Sequence, residues 1–490
     1  MDSTDLEKYL AEKKVSDSTA NQIRDFYKVR NYQYAWFTEQ KVNEQAVSFW
    51  NLQSNYIELT GDSSIFNPFL QSLADTIANN GSLSFMDSRK ALPYELELTR
   101  HFFVYATKAY AGSRDLNPAD LKWFIPRRKT NVRAMLDSLM SNAKNISSYE
   151  PVNRQYGMLR KFLVEYNKIL QSGGWKEVNP LTKKLEKGDS AAAIAAIKRR
   201  LHLVGDYLPD DTSHLFDDSL LVAVKRFQSR FGLSTDGVIG GNTLRKMNES
   251  LDQRIRQILV NMERVKWMPA EPQGDYILVN IPAFKLFVYE KGDLKFNMNV
   301  VVGSQQHHTV IFTGKLKHVV FSPYWNVPNG ILKNEILPAI RRDPNYLAKH
   351  DMEWYDGRVR QKPGPRNSLG LVKFLFPNNY NIYLHDTPSK SLFNETRRAF
   401  SHGCIRISEP QKMAEWILRD EAYWDQEKIV SAMHAGKEKW VGVAKDVNVF
   451  IGYFTAWVDA QGNLNFRDDV YGHDKVLGEA MFGEVNSEID

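Results

Sequence analysis

Residues 385–407 read HDTPSKSLFNETRRAFSHGCIRI, and they hold the single cysteine of a 490-residue chain together with two histidines. In Ser401-His402-Gly403-Cys404 the thiol directly follows a glycine, whose missing side chain lets a substrate carbonyl approach the backbone. Nineteen residues upstream of Cys404, His385 ends the run Tyr380-Asn381-Ile382-Tyr383-Leu384, whose β-branched and aromatic residues suit a strand. A strand end is a rigid mount. A cysteine nucleophile needs a base to raise its thiolate fraction, and that base needs a partner to fix its orientation. His385 is the candidate base. Its partner is either the backbone carbonyl of a neighbour such as Asp386 or the Asp386 carboxylate. Two other readings compete: a small buried hydrophobe among satisfied histidines, and a zinc site of His385, His402 and Cys404. The zinc reading lacks a fourth ligand at metal spacing.

Upstream of this stretch the hydrophobic period is that of strands. Tyr276-Ile277-Leu278-Val279-Asn280-Ile281, Lys285-Leu286-Phe287-Val288-Tyr289, residues 294–302 and residues 317–321 alternate, and Lys291-Gly292-Asp293 is a hairpin turn. Short strands with few helices predict a mainly β domain, a sandwich or a barrel. Between Pro323 and Pro365 lies a long insertion rich in proline and charge, with one helix predicted over residues 331–340 and Asp343-Pro344 as its stop. Such insertions usually act as lids or binding loops. His307-His308 falls in a polar turn and is expected to be solvated.

The first 180 residues read as helical. Asp17-Ser18-Thr19 can cap a helix carrying Ile23, Phe26 and Tyr27, and Leu92-Pro93-Tyr94-Glu95 opens another carrying Leu96, Leu98, Phe102 and Tyr105. Trp36, Phe37, Phe49, Trp50, Tyr56, Phe66 and Phe69 at helical spacing are expected in a core. From about Leu181 the pattern changes. Ile194, Ile197 and Leu201 follow Gly188-Asp189-Ser190, while Leu220, Val224, Phe227 and Phe231 follow Asp217-Asp218-Ser219. Both are amphipathic helices. A third, with Thr243 and Leu244 inward, follows Asp236-Gly237-Val238-Ile239-Gly240. Leu251, Ile255, Ile258, Leu259, Met262 and Val265 mark a bridging helix that Pro269 and Pro272 terminate.

Lysine and arginine exceed aspartate and glutamate by six over the chain, with no basic run of five or more, so nucleic-acid binding is not indicated. One cysteine excludes an intramolecular disulfide. The first residues, MDSTDLEKYL, have neither the basic start nor the apolar run of a signal peptide, and no window reaches 18 apolar residues.

Ser-His-Gly-Cys with a histidine 19 positions before the cysteine resembles the signature of the YkuD-type L,D-transpeptidases. Pro323-Tyr324-Trp325-Asn326-Val327-Pro328, Asp343-Pro344-Asn345-Tyr346-Leu347, Gln361-Lys362-Pro363-Gly364-Pro365, Gly370-Leu371-Val372-Lys373-Phe374 and Thr455-Ala456-Trp457-Val458-Asp459 resemble the large YcbB-like subgroup, as does Tyr32-Gln33-Tyr34-Ala35-Trp36-Phe37. The helices of residues 181–249 resemble a small peptidoglycan-binding domain. One departure is Arg406, where the broad family often has asparagine; it either clamps a stem-peptide carboxylate or braces the loop through an internal ion pair.

The resemblance implies a multidomain α+β chain. A helical scaffold occupies 1–180, a three-helix peptidoglycan-binding domain 181–249 and a linker helix 250–275. A catalytic domain of sandwich or barrel type spans 276–440, with 323–365 as a capping insertion, and an extension over 441–490 packs on the catalytic and scaffold domains. It also implies 3→3 cross-linking of peptidoglycan through a thioester, with release of D-alanine. Cys404 is then the nucleophile, His385 the general base, the Gly403 and Cys404 backbone N–H groups the oxyanion donors and His402 a support. Tyr383, Trp325, Arg406 and Ser401 are the expected substrate contacts. Partners are a donor tetrapeptide stem, an acceptor amine and the glycan wall, with no metal or cofactor and with acylation by carbapenems. Water in place of the amine would give an L,D-carboxypeptidase, and loss of chemistry a wall-binding scaffold. A general cysteine protease is disfavoured, since the local sequence such enzymes carry and a distant Asn or Asp partner are missing. A wall substrate places the protein in the periplasm or cell envelope, so a signal or membrane anchor is expected to have been removed ahead of Met1.

Overall fold

The structure is a computed structural model that describes residues 1–39, 41–80, 88–112, 117–127, 130–141, 153–179, 183–209, 211, 213–269 and 274–483. The chain divides into two compact units, one of Met1–Leu116, Pro126–Gly174 and Ile258–Ala270, the other of Asn117–Ile125, Trp175–Gln257 and Glu271–Asp490. Leu181 and Pro272, which the sequence marks as boundary residues, lie outside the described residues.

The first unit is helical. Helices Asp17–Val29, Glu44–Thr60 and Ser88–Ala106 contribute to one core. Trp36 packs on Phe49 at 5.6 Å between ring centroids, and Phe49 on Phe102 at 5.3 Å. Two predicted starts are displaced. Ser16 holds the N-cap position of the first of these helices without a side-chain capping bond, which leaves Asp17 in its first turn, where a negative charge is favoured. The helix of Ser88–Ala106 begins before Leu92 and carries Pro93 inside it. Trp36, Phe37 and Phe49 are buried as expected, but Phe66 and Phe69 are not core residues: they are 48% and 43% exposed, and Phe69 stacks on Tyr94 at the surface.

In the second unit the three helices Ala192–Leu203, Asp218–Arg230 and Gly241–Asn248 form as their apolar spacing predicts. The Asp217 carboxylate caps the second by accepting from the Leu220 N–H at 2.8 Å. These helices are not a detached module. Phe231 packs on Phe466 at 5.3 Å, and the Arg467 guanidinium donates to the Arg230 carbonyl at 2.6 Å.

The remainder of this unit is a curled sheet. In chain order its strands are β1 Tyr276–Asn280, β2 Lys285–Glu290, β3 Asp293–Gly303, β4 Phe312–Lys315, β5 His318–Phe321, β6 Val372–Leu375, β7 Leu384–His385, β8 Ala399–Ser401, β9 Ile405–Ile407, β10 Lys439–Gly442 and β11 Asn448–Gly452. The order across the sheet is β10-β5-β6-β7-β9-β3-β2-β1-β11-β4, with β8 also on β3. Lys291 and Gly292 both take positive φ, the geometry of the tight turn that joins β2 to β3. The long β3 belongs to both ends of the curl, pairing with β2 through its first half and with β8 and β9 through its second. Val300, Val301 and Val302 are buried on both faces there.

Three expectations change. Residues 380–384 are not a strand before Leu384, because the Asn378 side chain accepts from the Tyr380 and Ile382 N–H groups and Asn381 takes φ 54°. A division at residue 440 cuts through the sheet, since β11 lies inside it, parallel to β1. The insertion is structured: Trp325–Asn326, Met352–Tyr355 and Arg358–Gln361 form a three-stranded sheet, and Val327, Ile336, Met352 and Val359 form its own small core. Its helical segment runs over residues 329–342, with a π-helical stretch at Leu332–Ile336.

Candidate active site

Strands β7 and β9 are parallel, with Leu384 opposite Ile405 and His385 opposite Arg406. Side chains alternate along a strand, so one face of this pair buries Leu384, Ile405 and Ile407 in the core, while the other carries His385 and Arg406. Continuing the same register one step back sets Tyr383 beside Cys404, where the Ile405 N–H donates to the Tyr383 carbonyl at 3.1 Å. The Tyr383 and His385 rings lie 5.7 Å apart. Cys404, Tyr383, His385 and Arg406 therefore share a face. Lys373 of β6 lies opposite His385 and extends the row to Lys373, His385 and Arg406.

His385 is buried, and its Nδ1 lies 2.5 Å from the Asp386 carbonyl oxygen. That acceptor assigns the proton to Nδ1 and leaves Nε2 as the basic nitrogen. The Asp386 carboxylate, the other candidate partner, faces elsewhere: it accepts from the Leu371 N–H at 2.8 Å and pairs with Lys390. A β-carbon on Gly370 would sit 2.3 Å from that carboxylate, and φ there is +62°, so the turn requires glycine. Burial, followed by the charge of Arg406, drives the His385 imidazole down to about 3. It is neutral at physiological pH.

The Cys404 thiol is half-buried and points at the Asn381 carbonyl, 3.4 Å from Sγ. Burial raises its pKa, while Tyr383 and the charge of Arg406 pull it back. The thiol and imidazole are thus both neutral at rest and are not hydrogen-bonded to each other in this conformation.

The loop before the thiol is held from within. Ser401 Oγ donates to the Cys404 carbonyl at 2.5 Å and accepts from the Gly403 N–H at 3.1 Å. Ser401 is buried and holds the loop from within, and the Gly403 N–H already meets its hydroxyl, whereas the Cys404 N–H has no acceptor among the described residues. Gly403 itself has φ +114°, so its need is conformational. Thr309, which the sequence did not single out, donates to the Gly403 carbonyl at 2.8 Å and accepts from the Gly303 N–H at 2.9 Å. Tyr471 backs this arrangement by donating to the Gly303 carbonyl at 2.7 Å. Only the pairing of distant strands brings these residues together, so no local motif signals them.

Other expected contacts separate. His402 Nε2 lies 3.1 Å from Glu335 in the π-helical stretch of the insertion, which ties that segment to the nucleophile loop. His307 is exposed as expected, while His308 is half-buried and stacks on Tyr471 at 4.1 Å. Trp325 packs against the insertion's own core. His385, His402 and Cys404 each face a different partner, so they do not converge on a metal. Arg406 has no ion pair among the described residues, and its Nε is buried without an acceptor.

Residues 274–439 match the family described as YkuD, L,D-transpeptidase catalytic domain. Residues 21–163 match a scaffold domain, and residues 190–247 match a "Putative peptidoglycan binding domain". A relative from Haemophilus influenzae, named "Putative L,D-transpeptidase", is 33% identical over 252 residues, covering 47% of this chain and 50% of the relative. The chain spans about half the length of that curated relative. Among solved structures, an L,D-transpeptidase from Xylanimonas cellulosilytica is 14% identical with a TM-score of 0.20, covering 56% of this chain and all of its own. One from Stackebrandtia nassauensis is 15% identical with a TM-score of 0.24, covering 56% of this chain and 97% of its own. This is a multidomain α+β protein with a curled, mainly β sheet, and the segment that forms most of that sheet matches the YkuD family model. More particularly, separate segments of the chain match an L,D-transpeptidase catalytic domain, a scaffold domain and a peptidoglycan-binding domain.

Proposed function

We propose that the protein forms 3→3 cross-links in bacterial peptidoglycan by acyl transfer through Cys404, as an enzyme of the YcbB-like subgroup acting in the cell envelope. The observation that carries this reading is the shared face of β7 and β9, which holds a thiol, a neutral imidazole and an unpaired guanidinium together. The thiol turns from Asn381 toward His385, and its proton passes to Nε2 as sulfur adds to the carbonyl of the third stem residue. The oxyanion is met by the Cys404 N–H, a donor of the kind worth about 3 kcal/mol. The carbon–nitrogen bond to the terminal D-alanine then breaks, and the proton on Nε2 leaves with the amine. A thioester remains. The side-chain amine of a second stem attacks it, His385 takes the amine proton, and the thiolate departs to be reprotonated.

Arg406 is assigned to a stem carboxylate beside the reacting carbonyl. The ion-pair alternative would need a carboxylate partner, and the described residues supply none. Tyr383 contributes a wall of the same face. The insertion, tied to the nucleophile loop through Glu335 and His402, favours transfer over hydrolysis by excluding water from the thioester. No helix among the described residues is long and apolar enough to cross a membrane, and residues 181–249 provide the wall contact in this reading.

Intact-protein mass spectrometry with a tetrapeptide donor tests the proposal. The expected result is an adduct on Cys404 equal to the donor minus alanine, absent in Cys404→Ala and discharged by an acceptor amine into a dimer. Dimer formation by Cys404→Ala at the native rate would end it.

A further inference from the structure

A second concave surface, a cleft of about 430 Å³, lies between the end of helix Asp218–Arg230 and the catalytic sheet. Its walls are Ser229 and residues 231–235, the turn 282–285 between β1 and β2, Asn299 of β3, the loop 393–398 and residues 467–470. Four cations line it, Lys285, Arg397, Arg398 and Arg467, with the carboxylates of Glu395, Asp468 and Asp469. These charges do not cancel, because two of the carboxylates are engaged elsewhere. Asp468 pairs with Lys246, and Asp469 accepts from the Tyr453 hydroxyl at 2.6 Å and the Asp474 N–H at 2.8 Å.

The cations have no carboxylate within ion-pair distance among the described residues. Arg398 is held by the carbonyls of Val300, Phe284 and Glu395, at 3.3, 3.1 and 2.6 Å. Arg467 is held by those of Arg230, Phe466 and Ser229, at 2.6, 2.6 and 3.2 Å. Lys285 meets only the Asn297 amide oxygen, at 3.3 Å, and Arg397 is exposed. Carbonyls satisfy N–H groups but leave the positive charge uncompensated, and a cleft lined by one sign concentrates the opposite one. Burial and the neighbouring charges of Arg398 and Arg467 push the Lys285 ammonium below its ordinary value, against a smaller opposing pull from Glu409.

The cleft is also placed to serve the nucleophile. One wall belongs to the segment that matches a peptidoglycan-binding domain, and another, the loop 393–398, runs directly into β8 and the Ser401–Cys404 turn. Arg398 precedes Cys404 by six residues, a span of at most about 20 Å at full extension. We propose that this cleft is a second peptidoglycan site, which takes stem-peptide carboxylates of the wall strand whose reacting stem lies at Cys404.

The inference rests on the acyl-transfer reading, and its test separates the two. The full chain and its Lys285→Gln/Arg397→Gln variant are sedimented with purified peptidoglycan over a range of salt, and each is assayed for the Cys404 adduct with free tetrapeptide. The variant is expected to bind wall about tenfold more weakly with a shallower salt dependence, to lose the difference on wall whose carboxylates have been amidated, and to form the adduct at the native rate. A control that removes two exposed cations from another part of the sheet, Lys315→Gln/Lys317→Gln, is expected to leave retention unchanged. Equal retention of wild type and the cleft variant, or an equal loss in the control, overturns the cleft. Weaker retention of the cleft variant with no adduct in either protein keeps the cleft and overturns the acyl-transfer reading.

Discussion

Two buried polar clusters, one in each unit, are built from similar groups and differ in what they leave over. In the scaffold, Glu95 is fully buried and its oxygens accept from the Ala35 N–H at 2.7 Å, the Trp36 N–H at 3.0 Å and the Tyr27 hydroxyl at 2.8 Å. Thr99 Oγ1 meets Tyr27 at 2.6 Å and the Trp36 indole N–H at 2.8 Å. Every donor there has an acceptor within the cluster. On the face of β7 and β9, by contrast, the Arg406 Nε and the Cys404 N–H have no acceptor among the described residues. An unsatisfied buried donor costs about 1–3 kcal/mol. The scaffold cluster therefore fixes its fold, whereas the site carries a cost that a ligand carboxylate and an oxyanion can repay.

That contrast is most exposed at His385. Its replacement by glutamine is expected to lower the rate of Cys404 acylation by about 10²–10⁴-fold, the span of general base catalysis. The wild-type pH profile sharpens the point. Because the imidazole is held at about 3, its basic form is populated across the neutral range, so no acid limb is expected near 6.5. A limb there would show that the burial of this ring does not set its protonation. A smaller effect is expected for Arg406→Met. Loss of a charged hydrogen bond worth about 1.5–3 kcal/mol raises KM for the tetrapeptide about 10- to 150-fold. Reaction of the thiol with iodoacetamide, which carries no carboxylate, should be less affected. Equal loss with both reagents would mean that Arg406 only tunes the thiol.

The same division separates what the sequence made legible from what it did not. The Lys291-Gly292 hairpin and the three helices between Ala192 and Asn248 rest on local spacing and turn chemistry, which short windows carry. The motif marks Cys404 and His385, which the paired strands set on one face. The row of Lys373, His385 and Arg406 was not, because it exists only once three strands pair in register. Residues 380–383 had strand composition but are diverted by the Asn378 side chain, a local hydrogen-bonding competition that propensity does not count. Strand β11 joins the sheet through β1, more than 150 residues away in the chain, a pairing that no local pattern carries. Ser401 illustrates the finest loss. Its hydroxyl was as consistent with a substrate as with the Gly403 N–H it accepts, and only the folded loop decides between them.

The smallest effect concerns stability and reads the two clusters against each other through pH. Burial raises Glu95 from 4.5 to about 7, so between those values the native scaffold binds more protons than the unfolded chain, and stability falls as pH rises. His385 has the opposite sign. Its value falls from 6.5 to about 3, so between those limits the unfolded chain binds more protons, and stability rises with pH. Glu95→Gln should flatten the falling slope in the unfolding transition of the helical unit. It also sets an amide N–H against the Trp36 N–H, at a cost of about 1–3 kcal/mol. His385→Gln should flatten the rising slope in the transition of the catalytic unit. Thermal unfolding of both variants between pH 4.5 and 7 distinguishes these outcomes, and a falling slope that survives Glu95→Gln would move its origin to another group. If it does not survive, the closed cluster answers to protons through one carboxylate, while the open one answers through an imidazole that burial holds neutral.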